Sequence, residues 1–422
     1  ALLLCLHGSS SSAAAASIAE AISQGQAKLN LRYRYETVDE QNKAREAAAS
    51  TLRTRLNFTT AAYQGFTGQI EVDDVSAIGG ETYNSTVNGR TLYPIVADPT
   101  ATEVNQAWLA YKFGKNDLKY GRQRINLDNQ RFVGGVAWRQ NEQTFDGITL
   151  TNTSIDKLNL FYGYITNVNR IFGPDDGVNL ADLPGEVHLI NVGYEGLPIG
   201  KLSGYGYLLD FDDTASAALS SATYGVRLAT AKPLTDYKLL YALEYASQSD
   251  HGSNPNDFER DYMLAEGGVA LPLATVKLGY ELLGSDNGTG FSTPLATLHA
   301  FQGYADRFLT TPANGVEDRY LSIGGKIEQV DLTYIYHDYR SDTGGMDYGN
   351  ESDLVISRKF GKHYSLMLKY ANYSADTVNA SLFDTPFILI YSSEMASGLL
   401  TDQAEAMGKV TIGGEFGYAH GV

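Results

Sequence analysis

Arginine is the residue type whose placement could do chemistry in this chain. Arg32 and Arg34 alternate with Tyr33 and Tyr35, and Arg53 and Arg55 fall opposite Leu52, Leu56 and Phe58. If the two segments pair as antiparallel strands, the four guanidinium groups share one face and lie within reach of one another. Arg227 falls on the same kind of face by phase. Arg122, Arg124, Arg131, Arg139 and Arg170 lie in or beside segments that lead into long connections. The phase around Arg122 and Arg124 is ambiguous, because Leu118 and Tyr120 fall in line with them and Gly121 fits a bulge. The planar guanidinium is the natural fork for a carboxylate or a sulfate. A ladder of such forks would favour anionic groups. Glu36, Glu71, Asp73 and Glu244 nearly match these bases on the same faces, so a salt-bridged wall is the competing expectation.

Little else in the sequence promises chemistry. It contains no GxSxG, HExxH or phosphate-cradling loop. Seven histidines are scattered, with His337 inward by phase, and a single cysteine excludes a disulfide framework and cysteine-based zinc. We therefore expect no catalytic residues, no metal and no cofactor. Acidic groups such as Asp175/Asp176 and Asp257/Glu259/Asp261 read as solvated loops, with divalent-cation binding as the alternative. The formal net charge of −17 repels nucleic acid.

The elements that must hold the arginines are strands. Residues 27–37 alternate strictly, with Leu29, Leu31, Tyr33 and Tyr35 on one face and Asn30, Arg32, Arg34 and Glu36 on the other. The same period recurs in Tyr205/Tyr207/Leu209/Phe211, Tyr237/Leu239/Tyr241/Leu243/Tyr245, Val276/Leu278/Tyr280/Leu282 and Tyr364/Leu366/Leu368/Tyr370. Tyrosine-rich apolar faces opposite charged ones suit a bilayer outside and water inside. No apolar run is long enough for a spanning helix. Glycine (43) and tyrosine (29) are abundant, as tight turns and interfacial girdles require.

Turns sharpen the assignment. Short connections near 61–65, 114–116, 153–156, 196–200, 231–235, 271–274, 327–329 and 360–362 alternate with long ones without a break. That is the pattern of an all-β transmembrane antiparallel barrel with short periplasmic turns and long outer loops. The expected strands are 27–37, 50–60, 66–75, 104–113, 117–126, 143–152, 157–166, 187–195, 201–211, 220–230, 236–247, 260–270, 275–283, 317–326, 330–338, 352–359, 363–373 and a closing strand. For the last, 408–419 is preferred over 382–391, which contains Pro386, making eighteen strands. Residues 1–16 read as the remnant of a signal peptide containing Cys5, and residues 17–422 as a single barrel domain. In such a barrel the loops 76–103 and 284–316 are expected to fold into the mouth, and inward arginines become a lining that favours anions.

At this point the residues resemble a family. RYRYE at 32–36, TLRTRLNF at 51–58, YPIVADPTATEVNQAWLAY at 93–111, YGRQRINLDNQRFVGGVAWRQNEQTFDG at 120–147, NRIFGPD at 169–175 and TPLATLHAFQGYADRFLTTPANGVEDRYLSIGG at 293–325 are similar to the alginate-export family of outer-membrane porins, a likeness that runs over roughly residues 27 to 373. The resemblance implies an eighteen-stranded barrel in the outer membrane of a Gram-negative bacterium. It further implies an electropositive conduit for an anionic polysaccharide, with Arg32, Arg34, Arg53, Arg55, Arg122, Arg124, Arg131 and Arg139 inside the matching motifs. The expected function is a channel for hydrophilic solutes, with anionic carbohydrates or carboxylates as candidates. Its expected partners are the bilayer and lipopolysaccharide, the solute and the barrel-assembly machinery. The alternative is a non-transport barrel acting through its outer loops. Oligomeric state and direction of transport are left open.

Overall fold

The computed structural model describes residues 15–361, 364–376 and 387–396. A short helix, α1 (Ile18–Ser23), capped by Ser17, precedes the first strand. The strands are β1 (Gln26–Asp39), β2 (Ala47–Thr59), β3 (Phe66–Ala77), β4 (Ala101–Phe113), β5 (Asn116–Gln123), β6 (Thr144–Asn152), β7 (Leu158–Asn169), β8 (Asp182–Leu197) and β9 (Gly200–Phe211). They continue as β10 (Ser221–Pro233), β11 (Lys238–Asp250), β12 (Glu259–Ala270), β13 (Ala274–Leu283), a two-residue pair β14 (Ser285–Asp286) and β15 (Thr289–Gly290), β16 (Val316–Ile327), β17 (Val330–Arg340), β18 (Asp347–Phe360), β19 (Tyr364–Ala375) and β20 (Phe387–Ala396). Apart from the β14–β15 pair, eighteen strands form one antiparallel sheet in which each strand pairs with its chain neighbours. β20 pairs with β19 on one side and β1 on the other, so the ring closes and every edge is removed.

The closing strand differs from the expectation. Residues 408–419 lie outside the described residues, and the place beside β1 belongs to Phe387–Ala396. Pro386, the residue that counted against 382–391, lies outside the described residues. With both sides of β20 paired, the described ring has no edge left for another strand. Residues 1–14, most of the expected leader, also lie outside the described residues.

The alternation sorts side chains as a barrel requires. Tyr35, Leu56, Tyr162, Leu243, Tyr245, Leu278 and Tyr364 are exposed on the outer wall. At the short-turn end Phe66, Tyr111 and Phe113 stack in series at 4.5 and 5.4 Å, part of an aromatic girdle. One expected face is inverted: Tyr205, Tyr207, Leu209 and Phe211 of β9 point inward and are buried. They are covered by a loop, because Phe132 packs on Tyr205, Tyr207, Tyr262 and Phe291 with centroids 5.2–6.2 Å apart. Period alone could not tell an apolar face buried by lipid from one buried by an in-folded loop.

Three long loops enter the lumen. Residues 78–100 bury Tyr83, Val96 and Asp98, residues 124–143 bury Arg131 through Gln143 at many positions, and residues 284–315 bury Phe291, Leu295, His299, Tyr304 and Phe308. The second of these was not among the loops expected at the mouth, yet it is the one that meets the arginines.

Candidate functional site

The register of β1 and β2 sets Arg32 directly opposite Arg53, with Asn30 opposite Arg55 and Arg34 opposite Thr51. Like charges facing each other across strands repel. Here the repulsion is offset by the backbone of the 124–143 loop. Arg32 donates to the carbonyls of Ala137 (2.8 Å) and Arg139, Arg34 to that of Trp138, and Arg53 to that of Gln140 (3.3 Å). Four successive carbonyls are thus docked on three arginines. The Gln140 side chain completes the latch, accepting from Arg32 Nε at 3.0 Å and donating to Thr51 Oγ1 at 2.9 Å. Asp98, from the 78–100 loop, accepts from Gln140 N at 2.8 Å and lies 3.4 Å from Arg34 Nε.

Below this latch sits a charge-balanced cluster of three guanidinium and three carboxylate groups. Arg55 grips Asp73 across the β2–β3 pair with two of its nitrogens and reaches Glu142 Oε1 at 2.7 Å. Arg124 Nε reaches Glu142 Oε2 at 2.7 Å and its Nη2 reaches Glu71 Oε1 at 3.3 Å. Arg53 lies 4.0 Å from Glu142. Burial works against the charge of Glu142, yet Arg124, Arg55 and Arg53 together hold its carboxyl well below the usual range. Asp98 is held low in the same way, its burial outweighed by Arg34 and Arg139.

The remaining loop arginines tie two loops to each other and to the wall. Arg131 donates to Glu281 of β13 at 2.7 Å and to Gln302 at 3.1 Å. Arg139 bridges Glu36 at 3.1 Å and Asp306 at 3.0 Å, and its own charge is reinforced despite burial. Trp138 stacks flat on His299, 4.3 Å apart at 3°, with Arg34 and Lys369 Nζ over its ring at 4.4 and 3.8 Å. Burial pushes the His299 imidazole down to about 3 against the pull of Asp306, so it is neutral over the physiological range. Its Nδ1 lies 2.7 Å from Asp306 and its Nε2 2.9 Å from Lys369 Nζ, which assigns the proton to Nδ1. Gly303, at φ +79, places the N–H groups of Tyr304 and Ala305 on Asp353 (3.3 Å) and Glu351 (2.6 Å) of β18.

The arginines expected to line the lumen therefore have different places. Arg32, Arg34, Arg53 and Arg55 lie on the inner wall, and Arg124, Arg131 and Arg139 on the in-folded loop. Arg227 also faces inward and donates to Glu244 at 2.6 Å. Arg122 is on the other side. It shares its face with exposed Tyr120 and Leu109, while Gln123 and Thr149 face inward, joined at 2.9 Å. Arg122 grips Asp146 on that outer face at 2.8 and 2.9 Å. The ambiguity at Gly121 is real in the backbone: its φ is +120, and a Cβ there would lie 2.3 Å from the Ala107 carbonyl. Its register partners, however, continue without a shift. His337 faces inward with Nδ1 2.9 Å from Asp318.

Sequence reasoning did not single out Glu142, Asp98, Asp306, Gln140 or Trp138. They sit in irregular loops, where no period marks an inward residue. Among the described residues no group of three or more His, Cys, Asp or Glu is placed to hold a metal ion. The space left in the lumen includes a cavity of about 770 Å³ bounded by β10–β13, β16–β19 and residues 300–304. Leu240, Leu264, Ile335, Val355 and Met367 line it together with Lys238, Lys277 and Lys359 and the carboxylates of Glu266, Asp318 and Asp331.

Residues 24–162 match the model of the alginate export family, from the start of the barrel into β7. No curated protein sequence matches the chain. Solved structures do. The chain is similar to OccAB4 of Acinetobacter baumannii (15% identity, 88% of this chain and 97% of that one, TM-score 0.70). It is similar to Pseudomonas aeruginosa OpdK, solved with vanillate (12% identity, 89% and 98%, TM-score 0.71). It is similar also to P. aeruginosa OccK9 (16% identity, 89% and 99%, TM-score 0.69). These likenesses run over nearly the whole of each of those chains, and the fold is that of these outer-membrane proteins.

Proposed function

We propose that this chain is an outer-membrane channel through which small hydrophilic solutes diffuse. The observation that carries the reading is a closed ring of eighteen strands whose inner face is charged, whose outer face is apolar and whose lumen is narrowed by in-folded loops. Bilayer lipid and lipopolysaccharide would surround it, and the barrel-assembly machinery would insert it. The likeness to the alginate export family and to the OccAB4 and OpdK barrels supports the same reading.

The arginines bear on selectivity in a particular way. Arg32, Arg34, Arg53, Arg131, Arg139 and Arg227 are buried and engaged with carbonyls or carboxylates. Their main work in this reading is to hold the constriction loop, and the less buried Arg55 and Arg124 are balanced by Glu71, Asp73 and Glu142, which leaves little anion preference. The 770 Å³ cavity, with apolar and lysine groups side by side, suits a small solute that has an apolar body and a carboxylate, as vanillate in OpdK does.

Planar-bilayer recording of the purified barrel in a KCl gradient tests this. Discrete conductance steps are expected, with a reversal potential near neutral or modestly anion-selective. Absence of conductance in a correctly folded barrel would overturn the channel reading and favour a plugged barrel acting through its outer loops. Strong cation selectivity would overturn the arginine assignment.

A further inference from the structure

The lumen has a second cavity, of about 330 Å³, bounded by β5–β9 and residues 124–128. No residue lines both cavities. The division runs through the backbone, for Asp128 lines the small one and its neighbour Asn129 the large one. Asp128 pins this strap to the far wall, accepting from Asn191 Nδ2 and Ser203 Oγ at 2.7 Å each and lying 3.3 Å from Lys201 Nζ.

The two linings differ in kind. The small cavity has four carboxamides (Gln123, Asn126, Asn159 and Asn191), two hydroxyls (Thr149 and Thr151) and the face of Phe161. Its charges are mostly paired: Lys201 meets Asp128, Arg124 meets Glu142 and Asp117 meets Lys112 at 3.5 Å, while the Lys119 ammonium lies over the Trp108 ring. The Oδ1 of Asp117 is buried there without a hydrogen-bond partner among the described residues, and the exposed Asn159 and half-buried Thr151 line the same space. Carboxamides both donate and accept, as do hydroxyls, and such groups match a ligand that does the same at several points. Charges that are mostly paired, amides on several strands and one aromatic ring fit a polyhydroxylated molecule better than an anion or an apolar one.

We infer that the small cavity is a separate solute compartment for neutral polyhydroxylated molecules of sugar type, walled off by the Asp128 strap from the larger, amphiphilic one. The inference rests on the channel reading for its role in transport, but binding itself does not depend on conductance.

Glucose and benzoate serve as the two probes, with the double variant Asn159→Leu/Thr151→Val and the single variant Phe161→Ala. Folding is checked by heat-modifiable migration on gels. Ion-current block by glucose is expected to need roughly fivefold higher concentration in the double variant, the value of about one neutral hydrogen bond, while block by benzoate is unchanged. In detergent, tryptophan fluorescence, to which Trp108 contributes from 4.5 Å beside Lys119 Nζ, is read. It should respond to glucose with the same fivefold shift. A conducting wild type that glucose neither blocks nor perturbs in fluorescence would overturn the compartment. So would equal shifts for both probes. A barrel that fails to conduct yet binds glucose by fluorescence would overturn the channel and keep the site.

Discussion

Glu142→Gln tests the reasoning about the arginine cluster most directly. Glu142 sits between Arg55 and Arg124, each within 2.7 Å of one of its oxygens, with Arg53 at 4.0 Å. Three carboxylates (Glu71, Asp73 and Glu142) balance three guanidinium groups, so the isosteric amide leaves the cluster with one net positive charge. Removing one partner of a buried pair costs about 3–5 kcal/mol. The lower end applies here, about 3 kcal/mol, since Gln keeps one acceptor and Asp73 and Glu71 still hold Arg55. That is enough to populate an undocked 124–143 loop without unfolding the barrel, whose strand ladder is untouched. Two signals are expected in bilayers filled with Glu142→Gln protein. The reversal potential moves toward anions, and the current becomes noisier or larger as the loop leaves the lumen. Because the carboxyl of Glu142 is held well below the usual range, it keeps its charge down to pH values where free carboxylates protonate. Lowering pH from 7 to 5 should therefore leave the Arg55–Glu142–Arg124 bridge intact. A folded Glu142→Gln barrel with unchanged selectivity and unchanged current noise would refute the idea that this carboxylate neutralises the wall and fastens the loop.

Other expectations follow from the same geometry. Arg122→Gln should leave ion selectivity within error, since Arg122 and Asp146 lie on the outer face; a shift comparable to that of an inner-wall arginine would place Arg122 in the lumen instead. Phe132→Ala removes the ring that covers Tyr205, Tyr207, Tyr262 and Phe291, and should cost about 3–5 kcal/mol of loop docking, visible as new protease cuts between 124 and 143. Gly303→Val should release the 284–315 loop, because a side chain there would meet Glu351 and the Tyr339 hydroxyl at 2.4 Å and the backbone has positive φ. Acid should loosen the same loop. His299 titrates lower when docked, about 3, than when free, near 6.5, so the undocked loop takes up the proton first. Docking is at full strength above pH 6.5 and weakens as pH falls toward 3, by about 3 kcal/mol at pH 4.5; Asp306, also held low, adds to the loss in the same direction. Protease sensitivity of 284–315 that does not rise between pH 7 and pH 4.5 would count against this.

The sequence by itself determined the ring. Strict alternation such as Leu31/Arg32/Tyr33/Arg34/Tyr35 has one stable solution when the two faces need different solvents, and the alternation of short and long connections sets up-and-down order. It also determined that Arg32, Arg34, Arg53, Arg55 and Arg227 point inward, because phase within a strand is a local property. Three things needed the tertiary structure. The closing strand, Phe387–Ala396, is defined by which segment satisfies the free edges of β1 and β19, a contact between residues far apart in the chain. The inward turn of Tyr205 and Tyr207 depends on Phe132, more than seventy positions earlier, since an aromatic face reads alike whether a lipid or a loop covers it. Most of all, the partners of the arginines are loop groups: the carbonyls of 137–140, Glu142, Asp98 and Asp306. Loops have no period to betray which side chains face inward, and a carbonyl carries no residue identity at all. A ladder of bases was legible in the sequence; that it fastens a loop was decided by where that loop folds.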